Sequence, residues 1–233
     1  MEWNASDIDH ATASGDISNY DAKIKVARQI AERLRDGDVV GVGSGSTSML
    51  ALRALVDQAH AEGWKFSAIT TSLEIEIACA ELGVKTSSLV QERPDWSFDG
   101  ADEVDGHLNM IKGRGGAMLR EKLIIASSPE RYILVDASKR VEKLGLKFPI
   151  PLELVPESLQ LVRSELLERF DVHEIELRMA VGKDGPVITE NRNLILDVRF
   201  ADVKPDLDPQ LNSLPGIVGT GLFIGFHPTV ISA

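Results

Sequence analysis

The chain has 233 residues, 43% of them apolar, enough to bury one large domain or one domain with a smaller companion. Its net charge of −11, with no Lys/Arg run longer than two, excludes the clustered cationic surface that nucleic acids require. No apolar run reaches the roughly 18 residues of a membrane span, and the lone Cys79 excludes an internal disulfide and points to a reducing, cytoplasmic setting.

Residues 1–16 are polar and acidic, without the cationic and apolar regions of a secretory signal, and residues 1–18 read as a flexible extension. Asp21–Arg35 has apolar or small residues at helical spacing, and Gly37 stops it. Val39–Val42 reads as a strand, Ser48–His60 as a helix, Phe66–Thr70 as a strand and Leu73–Leu82 as a helix with Gly83 at C′. Cys79 falls in that helix as a small hydrophobe with no His nearby. A further strand closes at Ser97-Phe98, Gly116–Ser127 is helical, and Tyr132–Val135 is a strand. Alternating strands and helices predict crossover units and a mainly parallel, Rossmann-like sheet.

Composition shifts at Gly145–Pro156, where Pro149, Pro151 and Pro156 punctuate the chain. The predicted order is then strand Leu152–Val155, helix Ser158–Phe170, strands His173–Ala180 and Leu194–Phe200, helix Pro209–Leu214 and strand Ile217–Phe223. That β-α-β-β-α-β series predicts a smaller ferredoxin-like α+β domain. The expected division is residues 1–147 with 225–233 as a catalytic α/β domain, and 148–224 as a lid or oligomerisation domain.

Four segments carry candidate chemistry. Val39-Val-Gly-Val-Gly-Ser-Gly-Ser-Thr47 runs from a strand through glycines and hydroxyls into a helix, so unpaired N–H groups and the helix dipole suit a phosphate. It is neither a Walker loop nor a dinucleotide fingerprint, and an ordinary strand-to-helix turn is the competing reading. Asp99, Asp102, Glu103 and Asp105 lie just past a strand end. Their spacing fails a calcium loop, leaving a solvated acidic turn or a sugar-hydroxyl and proton-relay site. Lys112-Gly113-Arg114-Gly115-Gly116 opens a helix that carries Glu121: a cation for a developing oxyanion and a general base, or else a glycine-rich cap before a charged helix face.

The fourth segment, Asp136-Ala-Ser-Lys139, ends a strand with a lysine that is either a phosphate clamp or a surface residue. All four follow strand ends, and in a doubly wound sheet those ends share one edge, so a common cleft is expected.

These segments, with Thr71-Ser72, Arg120-Glu-Lys122, Pro151-Leu-Glu-Leu-Val-Pro156 and Ile217-Val-Gly-Thr-Gly-Leu-Phe223, make the chain resemble the A-type ribose-5-phosphate isomerase family from about Lys23 to Phe223. The resemblance implies an aldose–ketose isomerase of the pentose phosphate pathway, acting on a phosphosugar without metal or organic cofactor, as a homodimer or homotetramer. It implies that Glu121 is the general base, Lys112 the enediolate stabiliser, and Asp99 and Asp102 the hydroxyl-binding, ring-opening pair. Substrate contacts are implied at Ser44, Gly45, Ser46, Thr47, Gly100, Ala101, Gly113, Arg114, Gly115 and Lys139, with Lys23 a further phosphate candidate.

The departures are Ser44 for threonine, Arg114 within a glycine run, Arg192 for a turn glycine, and an end at Ala233 where the family has a longer strand and tail. Arg114 is expected either to adopt a glycine's backbone angles or to relax the loop. The rival readings are a sugar-phosphate-sensing regulator or a related isomerase of the same fold, and a transferase of the coenzyme A type.

Overall fold

The structure, a computed structural model, describes residues 19–233; the expected extension over residues 1–18 lies outside the described residues. In chain order the elements are α1 (Tyr20–Ala31), β1 (Val39–Val42), α2 (Gly45–Glu62), β2 (Ser67–Thr70), α3 (Leu73–Glu81), β3 (Lys85–Ser87) and β4 (Trp96–Asp99). They continue with β5 (Glu103–Val104), β6 (Met110–Ile111), α4 (Met118–Ser127), β7 (Glu130–Val135) and β8 (Ile150–Leu154). The remainder is α5 (Leu159–Arg169), β9 (Val172–Leu177), β10 (Leu194–Phe200), α6 (Leu207–Asn212), β11 (Ile217–Thr220), β12 (Leu222–Phe223) and β13 (Thr229–Ser232). Two compact units divide them: residues through Gly100 with Leu123–Ser138 and Pro228–Ala233, and Ala101–Lys122 with Lys139–His227.

The first unit holds a six-stranded sheet in the order β13-β7-β4-β1-β2-β3. Every pairing in it is parallel. The chain moves outward from β1 through β2 and β3, then returns to the other side of β1 for β4, β7 and β13. The direction therefore reverses between β1 and β4, the point where doubly wound sheets place ligands. Buried Val40, Val42, Trp96 and Phe98 pack with Val26, Ala27 and Ile30 of α1 and Leu52 and Leu55 of α2. Each large apolar side chain so buried contributes about 1.5–3 kcal/mol.

The second unit contains a four-stranded antiparallel sheet in the order β11-β8-β10-β9. Numbered within the motif this is 4-1-3-2 around α5 and α6, the expected ferredoxin-like α+β arrangement, with Leu152, Leu154, Val162, Leu166, Leu196 and Leu211 in its core. A separate three-stranded sheet, β12-β6-β5, completes the unit.

Residues 101–122, 139–147 and 225–227, expected with the catalytic domain, belong to this second compact unit. The reason is pairing: β12 joins β6 and β5, and Val104 bridges Arg140. The single strand expected over Ile217–Phe223 is two strands in different sheets, parted at Gly221. A Cβ at Gly221 would collide with the Lys112 carbonyl and Pro151, so only glycine allows the chain to change sheets there.

Candidate active site

In the first unit, the loops that follow β1 and β4 are joined at the switch point. Gly43 N–H donates to Phe98 O at 2.9 Å, and a Cβ on Gly43 would collide with the Asp99 carboxyl. Asp99 is buried, and its Oδ1 accepts from Gly100 N–H at 2.7 Å and Ser48 Oγ at 3.4 Å. Gly45 begins α2 at φ 83°, a left-handed angle that a side chain would strain.

Ser44, the N-cap of α2, makes no capping bond with its side chain. Its hydroxyl lies 2.5 Å from Thr71 Oγ1 and 2.9 Å from Ser72 Oγ, while Thr71 Oγ1 donates to Val42 O at 3.2 Å. This hydroxyl chain stitches the loops after β1 and β2 together. Ser46 Oγ accepts from the buried Lys23 Nζ at 3.0 Å, which brings a cation to the first turn of α2, where Thr47 also lies. Lys23, Ser44, Gly45, Ser46, Thr47, Asp99 and Gly100 thus belong to one unit at one sheet edge.

The second unit carries Ala101, Asp102, Lys112, Gly113, Arg114, Gly115, Glu121 and Lys139. Lys112 and Glu121 form an ion pair at 3.3 Å with side chains only 3% and 6% exposed. Such sequestration is costly, because neither charge keeps its hydration and the pair recovers that loss only with good geometry. Lys112 is fixed by its backbone, its N–H donating to Gly221 O at 2.9 Å. Glu121 lies in the first turn of α4, where the helix dipole favours a carboxylate.

Asp102 Oδ2 accepts from Arg114 N–H at 3.1 Å, and the Arg114 guanidinium, 73% exposed, is 3.9 Å from Asp102 Oδ1. Left-handed angles in this loop fall on Gly113 (φ 101°) and Gly116 (φ 85°), not on Arg114, so the arginine needs neither a glycine's conformation nor a relaxed loop. Lys139 sits in a 3-10 turn with its ammonium 5.3 Å from the Phe148 ring centroid.

The four-carboxylate turn separates into different roles. Glu103 is fully buried and accepts from Gly145, Lys147 and Phe148 N–H at 2.7, 2.6 and 2.8 Å. Asp105 closes a local turn by accepting from His107 and Asn109 N–H. Only Asp99 and Asp102 remain from that cluster as site candidates. Of the four candidate segments, three follow strands of the parallel sheet, whereas Lys112 follows β6 of the antiparallel three-stranded sheet.

Sequence reasoning missed Arg178, whose guanidinium pairs with Asp197 and donates to Gly113 O at 2.8 Å and Arg114 O at 3.0 Å. A single arginine after a strand carries no signal of that role. Cys79 is fully buried, and desolvation, with Glu76 adding, pushes its thiol up to about 12, so it remains protonated and unreactive.

These features define an α/β protein with a hydroxyl- and glycine-lined loop at the switch point of a doubly wound sheet, joined in sequence to a ferredoxin-like unit bearing a sequestered Lys–Glu pair. The family model for ribose 5-phosphate isomerase A (phosphoriboisomerase A) matches residues 67–233. Ribose-5-phosphate isomerase A of Methanothermobacter thermautotrophicus is 38% identical over 212 residues, covering 90% of this chain and 92% of the relative. The Synechococcus protein of the same name is 40% identical over 213 residues, covering 90% and 91%.

Among solved structures, ribose 5-phosphate isomerase A from Methanocaldococcus jannaschii superposes with a TM-score of 0.87 at 36% identity, covering 92% of this chain and 95% of that one. A D-ribose-5-phosphate isomerase in complex with phospho-erythronic acid gives 0.84 at 36% identity, covering 90% and 93%. The chain belongs to the ribose 5-phosphate isomerase A family.

Proposed function

We propose that the chain interconverts D-ribose 5-phosphate and D-ribulose 5-phosphate through an enediolate, with Glu121 as general base, in the non-oxidative pentose phosphate pathway. The observation that carries this reading is the sequestered Lys112–Glu121 pair. Aldose–ketose isomerisation moves a proton between C2 and C1 of the open-chain sugar. A carboxylate must take it, the neighbouring oxygen must be stabilised as negative charge develops, and the carboxylic acid must then return it to the other carbon. Glu121 supplies the carboxylate and Lys112 the charge. A pure sensor of the same fold would need neither.

The remaining assignments follow the family motifs. Asp99 and Asp102 engage sugar hydroxyls and assist ring opening; Ser46, Thr47 and Lys139 hold the phosphate, with Lys23 a further candidate, and Ser44 and Gly45 belong to the same substrate loop. Gly100, Ala101, Gly113, Arg114 and Gly115 contribute contacts around the sugar. The Lys23–Ser46 hydrogen bond and the open N-terminus of α2 support the phosphate assignment. Against a chain charge of −11, such local cations and N–H groups are what make an anionic substrate bind.

The proposed setting is the cytoplasm, as a homodimer or homotetramer using the ferredoxin-like unit for closure and subunit contacts.

The test is conversion of ribose 5-phosphate by the purified full chain and by its Glu121→Gln variant. General base catalysis contributes about 10²–10⁴-fold, so kcat is expected to fall at least that far with KM nearly unchanged. A wild-type chain without ribose 5-phosphate turnover would overturn the function, and an undiminished variant would overturn the role of Glu121.

A further inference from the structure

We propose that Phe223 is a positioning residue for Lys112, its aromatic face seating the ammonium beside Glu121; the catalytic consequence rests on the isomerase reading above. The Lys112 Nζ lies 5.5 Å from the Phe223 ring centroid, and the ring is fully buried. An ammonium within about 6 Å of a ring centroid is attracted by the negative face of the π-system, most strongly where water is excluded.

The chain builds this contact by register. Phe223 of β12 stands opposite Met110 of β6. Met110 and Lys112, two residues apart, project to the same side of an extended chain, so the ring and the lysine are diagonal cross-strand neighbours. The Lys112 N–H to Gly221 O bond extends that ladder by one rung, and Gly221 lacks the Cβ that would keep the strands apart.

A second ammonium meets the same ring. Lys122 follows Glu121 in α4 and brings its Nζ to 5.0 Å from the Phe223 centroid. Asp208 at 3.4 Å and Thr220 Oγ1 at 3.1 Å hold it there, and Thr220 bonds to Asp208 in turn. Burial lowers the Lys122 pKa while Asp208 raises it. Two lysines, each with its own carboxylate, therefore share one aromatic ring. Packing alone does not call for two ammonium groups at a ring, so the π-face, rather than its volume, is the inferred active property.

Three measurements on the full chain test this. First, Phe223→Leu keeps the apolar bulk and removes the π-face. Cation–π attraction, from exposed to desolvated settings, corresponds to about a 3- to 30-fold effect, so kcat should fall within that range with KM nearly constant, and Phe223→Tyr should recover most of it. Second, stepwise fluorination of the ring at position 223 weakens the quadrupole at nearly constant shape, and kcat should decline with each fluorine even if the leucine variant fails to fold. Third, in lysine-labelled wild-type protein the Lys112 Hε resonances should lie upfield through the ring current and return downfield in Phe223→Leu. A folded leucine variant with wild-type kcat, a fluorine series without trend, or Lys112 resonances at ordinary positions would each overturn the seat. The resonance test reads the seat without turnover, so it separates failure of this inference from failure of the isomerase reading.

Discussion

Arg192 has a φ of 63° in the turn Thr189–Asn193, a left-handed angle that costs a non-glycine residue about 1–2 kcal/mol. The turn is held regardless, because the buried Glu153 accepts from Thr189 Oγ1, Asn191 Nδ2 and Asn193 Nδ2 at 2.8, 3.2 and 2.9 Å. Arg192→Gly removes the strain but returns about 0.4–1 kcal/mol through greater freedom of the unfolded chain. The expected net is a gain of about 0.5–1 kcal/mol, read as a higher urea midpoint with unchanged slope. Arg114 differs, since its own φ is ordinary. Arg114→Gly should bring no such gain, and a stabilised Arg114→Gly variant would contradict the loop geometry. Both arginines look alike as glycine replacements in sequence; only the backbone separates them.

The acidic turn shows what elements reveal that spacing does not. Asp99, Asp102, Glu103 and Asp105 read as one cluster because a sequence displays proximity but not direction. In the fold, Glu103 belongs to β5 and points inward to three backbone donors, while Asp105 closes a turn. An orphaned buried donor costs about 1–3 kcal/mol, so Glu103→Ala should destabilise by roughly 3 kcal/mol or more in chemical denaturation.

Long helices and strands with clear periodicity, such as α2, α3, α5 and β10, were legible within a few residues. The strands β3, β5, β6 and β13, of two to four residues each, carry too few positions to show a period and were not foreseen. Candidate residues were legible where glycines and hydroxyls mark a strand-to-helix turn. Arg178 was not, because its role depends on carbonyls 64 and 65 positions away.

For the molecule as a whole, the alternation of strands and helices announced a parallel sheet, and the β-α-β-β-α-β order announced the antiparallel companion. The interleaving of the two compact units was not visible, because pairing partners such as Met110 and Phe223 lie far apart in the chain. Since Glu121 and Lys112 supply both proton acceptor and charge stabilisation in the proposed reaction, turnover of ribose 5-phosphate should persist in excess EDTA. Loss of activity that added metal restores would oppose that division of labour.

The outermost strand β13 pairs in parallel with β7, yet β7 is finished almost a hundred residues earlier. During synthesis the backbone of Tyr132–Val135 therefore waits as an open edge while the whole antiparallel unit emerges, the kind of template that recruits other chains. Removing residues 228–233 should make that wait permanent. The shortened chain is expected to aggregate at concentrations where the full chain remains dispersed, as light scattering would show, and equal dispersion of the two would mean that the edge is guarded by something other than its last strand.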